Sequence, residues 1–273
     1  MNLRNNLSEK MMYKSFIPSL IENYQYSVNS SKLDKLTALF CELNTMLTAL
    51  CEDKRFQLIR MEANDSWRLA DNSPMNPFAF SLDNENAENI VKATVYAEEA
   101  LDELPVSTRL IRNIHYLICA GSDYDKKYRG EYRISPVWIG EPGKGLYDAS
   151  FIPPVDEDLI SAITDLENYI NYSEDNVFVK AAIFHYQFEM IHPFIDGNGR
   201  TGRLLNNIFL TENGVLSFPI LLLSHIIARD YNHYCTEIQR VNETGDISAW
   251  LTYWFDIMRK SVTYTIQVIK NSL

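Results

Sequence analysis

The chain is short of positive charge. Its 25 Lys and Arg stand against 36 Asp and Glu, a formal net charge of −11. It therefore lacks the broad basic surface that grips a nucleic-acid backbone, and an anionic ligand needs a local positive site. Its four cysteines, Cys41, Cys51, Cys119 and Cys235, form no CxxC pair, which excludes a zinc knuckle and a dense disulfide framework. None of His115, His185, His225 and His233 has a second histidine at metal-ligand spacing, so each reads as a hydrogen-bonded structural residue. No apolar run approaches the roughly 18 residues of a membrane span. The strongest, Phe218 to Leu223, is interrupted by Pro219, and the N-terminus MNLRNNLSEKMMYKSF is polar where a leader would be apolar. A cytoplasmic protein with neither membrane nor nucleic acid as partner is expected. Repeats and low-complexity tracts are missing too. What is present, 46% hydrophobic and 22% charged residues, is the composition of a folded chain.

Periodicity is mainly helical. Leu33, Leu36, Leu39, Phe40, Leu43, Met46, Leu47 and Leu50 recur at helical spacing and predict a long amphipathic helix whose apolar face needs a partner. Ser73-Pro-Met-Asn-Pro carries two prolines, and Ser81 follows as a candidate cap for a helix through Val91 to Leu101, which sets a boundary at about residues 70 to 80. Further helices are predicted at 110–120, 157–170, 177–189, 201–211, 230–241 and 247–269. Strand signals occur at Val137-Trp-Ile and Ser150-Phe-Ile, flanking a turn-rich stretch that ends at Pro153-Pro154. The expected fold is all-α, a helical bundle carrying one β-hairpin. An N-terminal helical region would occupy 1–80, a core 81–262, and the end of the last helix with a tail 263–273.

Between two of these helices lies His192-Pro-Phe-Ile-Asp-Gly-Asn-Gly-Arg-Thr-Gly-Arg203. Pro193 ends the first helix, while Gly197 and Gly199 permit close backbone approach just where the next helix opens with unpaired N–H groups. Free donors and the helix dipole favour phosphate, and Arg200 and Arg203 add permanent charge with bidentate reach. Asp196 is the one carboxylate in this positive loop, suited to Mg²⁺, an ion that takes few protein ligands and completes its shell with water and phosphate. A neutral His192 beside a polyphosphate is placed to accept the proton of an attacking hydroxyl.

This string resembles the signature of the Fic family of protein nucleotidyltransferases: His, any, Phe, any, Asp or Glu, Gly, Asn, Gly, Arg, any, any, Arg. Ile114-His115 with Arg133, the Val137 to Gly140 strand, Ile152-Pro-Pro, Ala182 to Glu189 and Gly202-Arg-Leu-Leu are also similar to the Fic core, over about residues 80 to 262. The resemblance implies transfer of AMP from ATP, with Mg²⁺, to a hydroxyl of a target protein, His192 acting as base and Asp196 as metal ligand. Gly197, Asn198 and Gly199 would cradle the α and β phosphates, Arg200 the β-phosphate region and Arg203 the γ-phosphate, with Thr201 and Gly202 in the same nucleotide-binding segment. Phe194 would anchor the core. The hairpin at about 137 to 152, with Ala149, Ser150, Phe151 and Ile152, matches the flap that registers a target segment by backbone pairing. The family's two adjacent tyrosines near adenine correspond to Tyr234 and Cys235, and Asn242 falls where some members turn an asparagine to the nucleotide.

Ser81-Leu-Asp-Asn-Glu85-Asn86 fits the family's inhibitory pattern, which implies that Glu85 pairs with Arg203 and withholds it from the γ-phosphate. Self-modification is expected to rise when Glu85 is removed. Removal of AMP from a modified protein, transfer of a different group, and a nucleotide-gated binding module without turnover are the competing functions.

Overall fold

The computed structural model describes residues 2–8, 11–71, 85–121, 128–140 and 145–272. The chain opens with an antiparallel hairpin, β1 (Leu3–Ser8) and β2 (Met11–Phe16), in which Leu3 pairs with Phe16 and Ser8 with Met11. Ten helices follow among the described residues: α1 (Ser30–Ala49), α2 (Glu52–Asp71), α3 (Glu85–Ala100), α4 (Thr108–Ile118), α5 (Asp156–Tyr172), α6 (Val177–Ile191), α7 (Asn198–Glu212), α8 (Leu223–Arg229), α9 (Tyr231–Thr244) and α10 (Ile247–Ser272).

The expected all-α bundle is what the chain forms. At the centre stands α6, whose residues are buried on almost every side, as an all-round apolar helix must be. It packs against α5, α7 and α10, and Trp250 of α10 donates its indole N–H to the Ala182 carbonyl of α6 (2.8 Å). The long N-terminal helix is α1, capped by Asn29 on the Ser31 N–H (2.9 Å), with Leu36, Phe40, Leu43 and Leu47 forming the buried stripe. The partner its apolar face required is α10. Residues 263–272 are therefore a packed helix end, with Ile266, Val268 and Ile269 buried, and not a tail.

Two expectations change. The N-terminal region is not purely helical, because its first elements are β1 and β2. The hairpin expected at 137–152 is reduced to one antiparallel bridge, Ile139 with Phe151, beside a single 3-10 turn at Leu146–Asp148; residues 141–144 lie outside the described residues. The two segments are linked. Phe16 N–H donates to the Ile152 carbonyl (2.8 Å), and the Phe16 and Phe151 rings lie 5.5 Å apart. Tertiary packing thus sustains polar strands that alternation alone would not propose.

The boundary placed at 70–80 falls mostly outside the described residues, but α2 packs against α3, α7 and α8 and so belongs to the core. Its Glu62 carboxylate accepts from the Ser224 N–H (3.1 Å) and hydroxyl (2.6 Å) at the start of α8. Burial pushes this carboxyl up to about 8, despite the Ser224 hydrogen bonds. A folded-state pKa above the ordinary 4.5 means that folding favours the protonated form, so this contribution is complete below about pH 4.5 and is lost as pH rises through 8. Glu62→Gln keeps the shape and removes the ionisation. In melting experiments from pH 6 to 9 the wild type should lose more stability than the variant, and parallel curves would show that Glu62 does not ionise in this range.

Candidate active site

Backbone geometry builds the site first. His192 ends α6 in the left-handed conformation (φ 48°), its N–H bonded to the Phe188 carbonyl (3.0 Å), and the loop returns to helix through Gly197 at φ 80°. A Cβ on Gly197 would meet Cys119 Sγ at 2.6 Å, so both conformation and space demand glycine. The fully buried Phe194 stacks on the His115 ring (3.7 Å between centroids). Because His115 Nδ1 accepts from the Gly130 N–H (2.9 Å), its Nε2–H donates to the Asp196 carbonyl (2.8 Å), and the imidazole spans two loops. Burial holds His115 down at about 4, which keeps that neutral tautomer at pH 7.

His192, Asp196, Gly197, Asn198, Gly199, Arg200 and Arg203 converge on one cavity of about 520 Å³, joined by Ile139, Ser150 and Phe151 from the 137–152 segment and by Tyr231, Tyr234 and Asn242 from α9. Its size and mixed lining suit a nucleotide-sized ligand. Burial, then the Arg133 guanidinium, holds His192 at about 4, so the imidazole is neutral at pH 7. Its Nδ1 lies 3.4 Å from the Glu189 carbonyl, an acceptor, which leaves the lone pair on Nε2. Arg200 is buried, donates to Asp196 Oδ2 (2.9 Å) and lies over the Trp67 ring (5.3 Å). The Asp196 side chain is half exposed in the cavity wall. No cluster of three or more His, Cys, Asp or Glu able to hold a metal occurs among the described residues. The donor set fits a hard cation that takes one carboxylate and shares the rest of its shell with phosphate and water.

Some expected residues act differently. Asn198 spends its amide inside the loop, accepting from the Phe194 N–H and donating to the Phe194 carbonyl (both 2.9 Å), so its backbone is what it offers a ligand. Thr201 and Gly202 do not line the cavity. A helix turns about 100° per residue, which puts Arg200 and Arg203 on the cavity face and the two residues between them on the packed side. There a Cβ on Gly202 would meet Glu189 Oε1 at 2.5 Å and Phe188 Cδ1 at 2.9 Å. Ala149 and Ile152 also stand outside the cavity.

Arg203 is buried and donates Nε to Ser66 Oγ (3.1 Å) and Nη2 to the Ser66 carbonyl (2.8 Å). Glu85 stands exposed in the first turn of α3 near Gly121, and no hydrogen bond or ion pair joins it to Arg203 among the described residues. Asn86 follows it on α3 and Ser81 lies outside the described residues. The expected Glu85–Arg203 pair is therefore not formed in this structure.

Tyr234 lines the cavity with its hydroxyl bonded to His185 Nε2 (2.9 Å). Cys235 lines the same cavity, and the ring that stacks on Tyr234, at 5.8 Å, is that of Tyr231 one helical turn earlier, a partnership legible as an i, i+3 spacing once α9 is recognised. Asn242 Oδ1 accepts from the Tyr186 hydroxyl (2.8 Å). Sequence reasoning also missed Glu189, whose Oε1 is buried with no hydrogen-bond partner among the described residues and whose carboxyl burial raises to about 7.

Residues 105–210 match the model of the Fic/DOC family. The chain is 34% identical over 132 residues to the protein called Probable protein adenylyltransferase from Aquifex aeolicus, covering 48% of this chain and 38% of that protein. It is 32% identical over 136 residues to Protein adenylyltransferase Fic of Drosophila grimshawi, covering 49% and 25%. The chain thus spans well under half the length of these relatives. A Fic family protein from Desulfovibrio desulfuricans superposes with a TM-score of 0.66 at 18% identity, over 92% of this chain and 78% of that one. A Fic domain containing signaling protein from Bacteroides thetaiotaomicron gives 0.65 at 19%, over 89% and 98%. Residues 105–210 thus match a Fic/DOC family domain, set in a fold shared with Fic structures along most of the chain.

Proposed function

We infer that the protein transfers AMP from ATP to a hydroxyl side chain of a target protein. The observation that carries this is a neutral His192 with its Nε2 lone pair at the wall of a cavity built on a glycine loop, a helix N-terminus and two arginines. The hydroxyl oxygen attacks the α-phosphorus, the bond from that phosphorus to the bridging oxygen breaks, pyrophosphate leaves, and the hydroxyl proton passes to His192 Nε2. Backbone N–H groups of Gly197 to Gly199 and the guanidinium of Arg200 hold phosphate oxygens as negative charge moves toward pyrophosphate. Asp196 would hold Mg²⁺, which supplies charge neutralisation on the polyphosphate. Tyr231, Tyr234 and Asn242 form the wall against which a base would lie. The names of the relatives support adenylate transfer as the chemistry.

The test is mass spectrometry of proteins incubated with the enzyme, MgATP and lysate, self-modification included. An adduct of one AMP on Ser, Thr or Tyr supports the function, and a different adduct or none removes it.

Self-inhibition through Glu85 is the finer part of this proposal, supported by the Ser81 to Asn86 pattern. In the present geometry Ser66 is what occupies Arg203. Glu85→Gly should raise labelling by about one order of magnitude if Glu85 reaches Arg203 during the cycle, since a charge-assisted pair outweighs a neutral hydrogen bond. Unchanged labelling would leave α2 as the element that governs Arg203.

A further inference from the structure

Ser150 and Phe151 line two cavities. One is the cleft that holds His192; the other, of about 350 Å³, lies between the 146–152 segment and the N-terminal hairpin. The two share these residues as lining, which sets the second cavity beside the cleft that a hydroxyl reaching His192 would enter. Its hairpin wall, from Leu3 to Phe16, lies far outside the 105–210 family match.

One face of the hairpin, joined by Tyr13, forms its wall. Met12, Lys14 and Phe16 alternate onto the same side of β2, and Leu3 faces Phe16 across the ladder. The face is anchored at one end by the buried Phe16 against Phe151, with the exposed Leu3 beside it, while Met12 (64% exposed) keeps apolar surface open at the other end and Tyr147 is exposed on the facing segment. Among the described residues, Lys14 is the single charged one lining the groove, on a chain whose net charge is −11. An extended chain with an apolar side chain beside a carboxylate complements this surface. A basic segment does not, because none of the described residues in the lining is acidic.

Given adenylate transfer as the chemistry of the cleft, on which this rests, we propose that the hairpin–flap groove is the acceptor-selecting subsite. It takes an extended segment of the protein substrate that carries an acidic and an apolar residue on one side of the modified hydroxyl. Lys14 reads the carboxylate and Met12 the apolar side chain, while Ser150 and Phe151 pass the chain on to His192.

The test uses the full chain, MgATP and an immobilised peptide library with one Ser, Thr or Tyr each, flanked by acidic, basic or apolar residues. The wild type should favour acidic and apolar flanks over basic ones by roughly tenfold, and Lys14→Glu should reverse the charge preference. Met12→Glu should lose the apolar preference and Met12→Leu keep it. Both positions are exposed, so melting temperature and ATP affinity should match the wild type in all variants. Identical peptide preferences in wild type and variants would overturn the groove while leaving transfer intact. Absence of AMP transfer to any peptide or protein by the wild type would instead remove the chemistry of the cleft, and the acceptor role with it.

Discussion

His192→Ala lowers AMP transfer by about 10³-fold or more, while the affinity for MgATP changes by less than about twofold. The separation follows from where the contacts lie. In the proposed function phosphate is met by the Gly197 to Gly199 backbone and by Arg200, and none of these depends on the imidazole; Arg200 is fixed by its own bond to Asp196. In that proposal the imidazole serves the acceptor proton alone. Its pKa of about 4, set by burial and then by Arg133, adds a second signature. The base is already unprotonated at pH 6, so the wild-type rate should be flat from pH 6 to 8 and fall only as pH approaches 4. Equal labelling by wild type and His192→Ala would take this residue out of the chemistry. A rate that falls with a midpoint near 6.5 would contradict the desolvated environment.

The site was legible where its chemistry is local. The residues from His192 to Arg203 occupy one turn and one helix start, so residue type and spacing sufficed to bring the histidine, the carboxylate, the glycine loop and the arginines to one cavity. Helix α1 was legible for a similar reason, since its buried stripe repeats at the helical period. What sequence could not show was partnership across the fold. Ser66 and Arg203 stand 137 positions apart, and nothing in the local pattern of α2 marks Ser66 as the acceptor of a buried guanidinium. Glu85 illustrates the converse: a short pattern proposed a long-range pair, while folding left that carboxylate exposed at a helix start. Thr201 and Gly202 were grouped with their neighbours by sequence continuity, which a helix breaks by turning about 100° per residue, so that the two residues between Arg200 and Arg203 face the packed side. The N-terminal hairpin was invisible because Arg4-Asn5-Asn6 gives no strand alternation; Asn6 instead donates to the buried Ser15 hydroxyl (2.8 Å) and Phe16 docks on Phe151.

Arg133 carries the largest expected effect on stability. Almost fully buried, its guanidinium donates to four carbonyls: His192 (2.8 Å), Pro154 (2.6 Å), Ile191 (3.2 Å) and Ser135 (3.4 Å). Two of these end α6, where a cation is favoured by the helix dipole, and Pro154 lies two residues before α5. Its own backbone N–H binds the Pro193 carbonyl (3.0 Å). Burial lowers its pKa to about 10, so it remains charged at pH 7. Arg133→Met fills similar volume but strands these carbonyls, a loss of about 3 to 4 kcal/mol and a fall in melting temperature of about 10 °C. The catalytic consequence is separable, because His192 is a non-glycine residue at φ 48° and needs its surroundings to hold that strained conformation. Assayed well below the lowered melting temperature, Arg133→Met should lose kcat by at least about tenfold with little change in ATP affinity. Arg133→Lys should fall between, since an ammonium keeps the charge but cannot span four carbonyls with one planar fork. A wild-type melting curve for Arg133→Met would mean that water replaces the guanidinium at all four carbonyls, and Arg133 would then be no keystone of the His192 turn.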